Sequence, residues 1–144
     1  MVELYAVLLS WAVTLSGYPA PARAPEVVKV PHSFFVKNAC GGHECKVWGW
    51  FAGGTKLYID DRMDPEGNTL AASVLVHEMV HYLQAVDRGD DILSDGAAFG
   101  ILPTCKQTVQ WELQAYGVQK EFLLRYGVYT PVGISMLRVG CGDP

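Results

Sequence analysis

The chain has 144 residues, half of them apolar and 18% charged, with a net charge of −4. This composition excludes a disordered chain and predicts one domain with a real core, though a short one for a peptidase with a deep specificity cleft. No Lys/Arg cluster appears, which argues against a nucleic-acid partner, and no apolar run reaches membrane-spanning length.

Leu4, Leu8, Trp11 and Leu15 repeat at helical spacing and predict an N-terminal helix over 1–17. Residues 4–15 are apolar, and Ala22-Arg23-Ala24 imitates a leader cleavage site. Yet Glu3 is acidic, no basic residue precedes the apolar stretch, and Pro25 would block processing. The expectation is a retained helix packed on the domain, with Met1 the start of a trimmed chain. Tyr18-Pro19-Ala20-Pro21, Pro25 and Pro31 then read as an extended, proline-punctuated connection.

Four cysteines permit three pairings. Gly41 and Gly42 allow Cys40 and Cys45 to close a small loop, which leaves Cys105 for Cys141 and ties the C-terminal tail to a later helix. A metal site from Cys40, His43 and Cys45 is the alternative, with poor spacing. Two disulfides imply an oxidising compartment, so export to the periplasm or medium is expected.

Residues 46–60 read as a β-hairpin. Lys46 to Phe51 alternate, with Trp48 and Trp50 on one face, Ala52-Gly53-Gly54 turns the chain, and Lys56 to Asp60 returns. Lys56–Asp60 is the expected rail for an extended peptide, and plain packing is the alternative use of the two tryptophans. The acidic stretch 60–68 does not match an EF-hand and reads as a solvated loop ending in a helix cap at Asn68 or Thr69.

Residues 69–87 predict a helix. No Gly or Pro interrupts Leu70 to Val86, and apolar residues lie on most of its sides, so it is expected to be largely buried. Within it stands His77-Glu78-Met79-Val80-His81. Histidines four apart stack on one helix face within reach of a single metal ion, and buried histidine or glutamate is costly without a partner or a metal. The carboxylate between them sits where it can take a proton from water.

A zinc hydrolase needs a third protein ligand. Asp87 lies six residues after His81, but Gln84 stands where the extended pattern needs a turn-making Gly. The helix therefore should run on and carry Asp87 away. A second long helix over 106–126 has the inward stripe Val109, Glu112, Ala115/Tyr116, Gln119, Phe122/Leu123 and Tyr126. A glutamate on such a stripe is anomalous, and a metal resolves the anomaly. Glu112 is the preferred third ligand, with Asp87 next and Asp91 and Asp95 as remoter choices. The connection from Arg88 to Gly100 could border the site.

These residues resemble the gluzincin branch of zincin-like metallopeptidases: HExxH on one helix, with a Glu followed by Ala and Tyr three and four residues later on another. The resemblance spans about residues 47–126, and its specific part is His77, Glu78, His81 and Glu112. It implies zinc on His77, His81 and Glu112, with Glu78 as general base. Many gluzincins carry an Asp four residues after the ligand Glu to orient a histidine; here that position is Tyr116. More narrowly, the chain is similar to small exported bacterial zincin-like proteins, for which membership implies no substrate.

The expectation is an α+β, zincin-like domain that acts as a monomeric exported zinc hydrolase on peptide or protein substrates. Tyr116 is the expected oxyanion donor, ahead of Tyr126 and Tyr129. The alternatives are a zinc amidase acting on cell-wall or small-molecule amides and a non-catalytic zinc-binding interaction module.

Overall fold

Helix α3 (Thr69–Arg88) is the element on which the other long helices and the sheet pack. Its start is local chemistry: the Asn68 side chain accepts the Ala71 N–H at 3.0 Å. Its end is Gly89 at φ 78°, a left-handed conformation that only glycine adopts cheaply. Leu75, Val76, Met79, Val80 and Leu83 are all buried, and each contributes about 1.5–3 kcal/mol by leaving water. The helix runs through Gln84 without a break, as expected, and Asp87 is exposed near its end.

The computed structural model describes residues 2–89 and 103–141. Before α3 come α1 (Val2–Ser16), β1 (Glu26–Val30), α2 (His32–Asn38), β2 (Gly49–Phe51) and β3 (Lys56–Asp60). After it come α4 (Cys105–Arg125) and a 3₁₀ segment, Ile134–Arg138. The described residues thus hold four α-helices and a three-stranded sheet, a mixed α+β fold. No described helix is long and apolar enough to cross a membrane.

Helix α1 packs on α3 and α4 through Leu8 and Ala12, with Leu4, Trp11 and Leu15 partly buried beside them. Trp11 meets Phe122 and Tyr126 edge-on, and its indole N–H donates to the Tyr126 hydroxyl at 3.1 Å. Along α4 the buried residues are Ala115, Val118, Gln119, Phe122 and Leu123. Tyr126 is half exposed, and Val118, absent from the expected stripe, is inside. Thr104 and Gln107 form a capping box that starts α4.

The sheet changes one expectation. Its order is β1-β3-β2, with β1 parallel and β2 antiparallel to β3. Lys56–Asp60 is therefore the central strand, paired on both sides, and cannot take an added peptide. The correction comes from β1, which lies inside the stretch read as a connection. Pro25 and Pro31 bracket it, so five residues form the strand and Pro31 then caps α2. Among the described residues, the unpaired strand edge facing the cleft belongs to β2.

Along β3 the side chains alternate in burial from Lys56 to Ile59, and Asp60 departs from the pattern by being buried too. Leu57 and Ile59 join the α3 core, and Phe51 meets Tyr82 of α3 edge-on at 5.9 Å. On the opposite face Trp50, Tyr58 and Phe34 of α2 cluster, with the Phe34 and Tyr58 rings 4.6 Å apart. Trp50 is thus a packing residue, while Trp48, just before β2, lies under the Arg62 guanidinium. Both disulfides are present as paired above, Cys40–Cys45 and Cys105–Cys141. Two such bonds fit an oxidising compartment.

Candidate metal centre

Two elements build the centre. Helix α3 places His77 and His81 one turn apart facing a cleft, and α4 brings Glu112 against them. His77 Nε2 is 3.2 Å from Glu112 Oε1 and 3.2 Å from His81 Nε2, and His81 Nε2 also contacts Glu112 Oε1. One ligand atom from each residue lies within 4.8 Å of the other two. Among the described residues this is the group able to hold a metal ion.

The donor set fits such an ion. Two imidazoles and one carboxylate are nitrogen and oxygen donors of the kind a divalent metal ion takes. The electrostatics agree. Burial alone would raise the Glu112 carboxyl, but His77 and His81 beside it hold it well below the usual carboxylate range. Burial alone would lower His81, but Glu112 and the nearby charge of Glu78 push it above the ordinary imidazole value. Carboxylate and imidazole thus favour each other's charged forms.

Glu78 is buried beside this group. Its Oε1 accepts the Phe51 N–H of β2 at 3.1 Å, and its Oε2 is 3.9 Å from His77 Nε2. The strand comes this close because residue 49 is glycine. A Cβ there would stand 2.8 Å from Val74 Cγ1 and 3.2 Å from Glu78 Cγ. Gly49 therefore couples the strand edge to the carboxylate.

Tyr116 lines the same cleft, its ring packed edge-on against His77 at 4.4 Å. Gly133 presses on its other side, where a Cβ would sit 2.7 Å from Tyr116 Cγ. Burial, with the charges of Glu112 and Glu78, pushes the phenol pKa up against the opposing hydrogen bond of Ser135. Tyr126 bonds Trp11 and Tyr129 is exposed, and neither lines the cleft. Asp87 is not part of the ligand group. Asp91 and Asp95, the remoter ligand choices, and most of the 88–100 connection lie outside the described residues.

The cysteine alternative is excluded, since Cys40 and Cys45 are bonded to each other. The acidic stretch is only partly a solvated loop. Asp60 is fully buried, held by the Arg62 side chain at 2.9 and 3.0 Å and by His32 at 3.0 Å.

Two functional neighbours escaped sequence reasoning. Gln84 Oε1 lies 2.8 Å from His81 Nδ1, and Gln119 Oε1 lies 3.0 Å from His77 Nδ1. Gln119 was visible as a polar residue on the inward stripe of α4, which is the signal that finds it. Gln84 registered only as a missing glycine. Comparison with family models, curated proteins and solved structures returned no match.

Proposed function

We propose that this chain is a small exported zinc-dependent hydrolase that cleaves peptide bonds, with His77, His81 and Glu112 holding the ion. The observation that carries the proposal is the placement of Glu78. A site that serves only structure needs ligands and nothing more. Here a buried carboxylate stands beside the ligand nitrogens, aimed by a backbone N–H from the strand edge. Zinc, when bound, supplies Lewis acidity, polarising a carbonyl and lowering the pKa of water towards about 7.

The protein's own groups supply the rest. Glu78 takes the proton of the attacking water and later delivers it to the leaving nitrogen, a contribution of about 10²–10⁴ in rate. Tyr116, whose phenol lines the same cleft, serves as hydrogen-bond donor to the developing oxyanion. The Asp60 N–H bonds the Trp48 carbonyl, and the Phe51 N–H points instead to Glu78. By strand alternation Gly49 and Phe51 direct their main-chain groups to the cleft side. With the Phe51 N–H taken by Glu78, the remaining main-chain groups of that edge favour an extended peptide over a compact amide.

The test is a peptide-library digest with zinc-loaded wild type and Glu78→Gln. Wild type is expected to cleave, and the variant to retain zinc yet lose at least about a hundredfold in rate. Equal digestion patterns for the two proteins would overturn the proposal. Cleavage of small amides without cleavage of peptides would assign the same centre to an amidase.

A further inference from the structure

Gln84 and Gln119 are only 2% and 5% exposed, and each makes more than its contact to a histidine. The Gln84 Nε2 donates to the Trp111 carbonyl and to Gln114 Oε1, both at 2.9 Å. Gln114 Oε1 in turn accepts the Tyr18 hydroxyl at 2.8 Å. Rotating the Gln84 amide would set its oxygen against the Trp111 carbonyl, two acceptors with no proton between them. The amide orientation is therefore decided by a backbone group. Its oxygen must face His81, and His81 Nδ1 must carry a proton to meet it.

The second glutamine is anchored in the same manner from the other helix. Gln119 Nε2 donates to Ser73 Oγ at 3.0 Å, and the Ser73 hydroxyl spends its own proton on the Leu70 carbonyl at 2.6 Å. With its proton on Leu70, Ser73 accepts from Gln119. The Gln119 oxygen then faces His77 Nδ1, which must be protonated too.

We propose that Gln84 and Gln119 are positioning residues of the metal centre: they hold the proton on Nδ1 of His81 and His77, so that both rings present a bare Nε2 beside Glu112. The inference rests on the metal-centre reading above and adds to it a charge rule. Metal-bound histidines often lean on a carboxylate, which makes them more basic and offsets the ion's charge. Neutral amides fix the same tautomer without doing so. With Glu112 as the only anionic member of the group among the described residues, a bound divalent ion would keep net positive charge.

The two positions differ in a way that makes the inference testable. In Gln119→Glu the second carboxylate oxygen meets Ser73, whose hydroxyl can turn from Leu70 to donate. In Gln84→Glu it would meet the Trp111 carbonyl and Gln114 Oε1 instead. Gln119→Glu is therefore the conservative variant, and Gln84→Leu and Gln119→Leu are the variants that remove the acceptor.

The experiment measures zinc affinity by chelator competition in wild type and these three variants, with folding checked by circular dichroism. Nitrogen-15 spectra of the histidine rings in the zinc-loaded wild type accompany it. The leucine variants are expected to lose about 10–100-fold in zinc affinity, and Gln119→Glu to match or exceed wild type. The spectra are expected to show the proton on Nδ1 and the metal on Nε2 in both rings. Unchanged affinity in the folded leucine variants, loss of affinity in folded Gln119→Glu, or a ring bound through Nδ1 would overturn the inference. If the leucine variants do not fold, Gln119→Glu and the spectra decide it. A wild type that binds no zinc overturns the metal-centre reading and this inference with it, whereas zinc-binding wild type with indifferent variants overturns the inference alone.

Discussion

At the start of α2, His32 lies with Nδ1 3.0 Å from Asp60 Oδ2 and Nε2 2.7 Å from Glu44 Oε1. Between α3 and α4, His77 and His81 turn Nδ1 to glutamine oxygens and Nε2 towards each other and Glu112. Both clusters combine histidine with carboxylate, and both sit partly inside the protein. In the first, carboxylates face both edges of one ring, so neither edge is open to a metal. Glu44 foremost, with Asp60 adding and burial opposing, raises the His32 pKa. In the second, neutral amides take one edge of each ring and leave the other edges convergent. Which edges are occupied, rather than which residue types are present, separates an ionic clamp from a group that could hold a metal ion.

That contrast can be broken at either end. The largest expected effect is on metal binding. Structural zinc sites bind with about 10–16 kcal/mol shared among four ligands, so Glu112→Ala should cost roughly a hundred- to a thousandfold in zinc affinity. Glu44→Ala and Asp87→Ala should leave affinity unchanged in the same chelator titration. Loss of the metal in Asp87→Ala would mean that the third ligand is wrongly assigned.

The next effect is on stability. Zinc at about 100 times its dissociation constant should raise the unfolding free energy by about 2.7 kcal/mol, read as a higher melting temperature. The gain should vanish in Glu112→Ala and persist in His32→Gln. A zinc-dependent shift that follows His32 instead would erase the distinction between the clusters.

The smallest effect is a pH signature confined to the clamp. The folded pKa of His32 is raised above its ordinary 6.5, so its contribution to stability is complete below that value. It is lost as pH rises through the raised value. Asp60 has the opposite sign. Arg62 chiefly, and His32, hold it below its ordinary 3.8 against burial, so its contribution is present above that value and is lost as pH falls through the lowered one. Thermal melts across pH should show a decline on the alkaline side in wild type that is flattened in His32→Gln, with zinc affinity untouched.

Much of the centre was legible because its signals are local. Helical spacing set His77 and His81 on one face, uninterrupted residues from Leu70 to Val86 carried the helix past Gln84, and Asn68 supplied the cap. Glu112 was legible by contradiction, as a charge on a buried stripe. The disulfide pairing followed from the two glycines between Cys40 and Cys45. What escaped was short or relational. Strand β1 has five residues between prolines, too few for periodicity to speak, and without it Lys56–Asp60 passed for an edge.

The amino-acid sequence by itself determined the helices that carry His77, His81 and Glu112, the α+β class and the residue types available for chemistry, because hydrophobic period and capping act within a few residues. Only the tertiary structure decided which strand keeps its free edge, which way each imidazole faces, and that Gln84 and Gln119 stand behind the histidines. Those are properties of hydrogen-bond partners up to 46 residues apart in sequence, and a donor's choice of acceptor is settled only when the two are packed together.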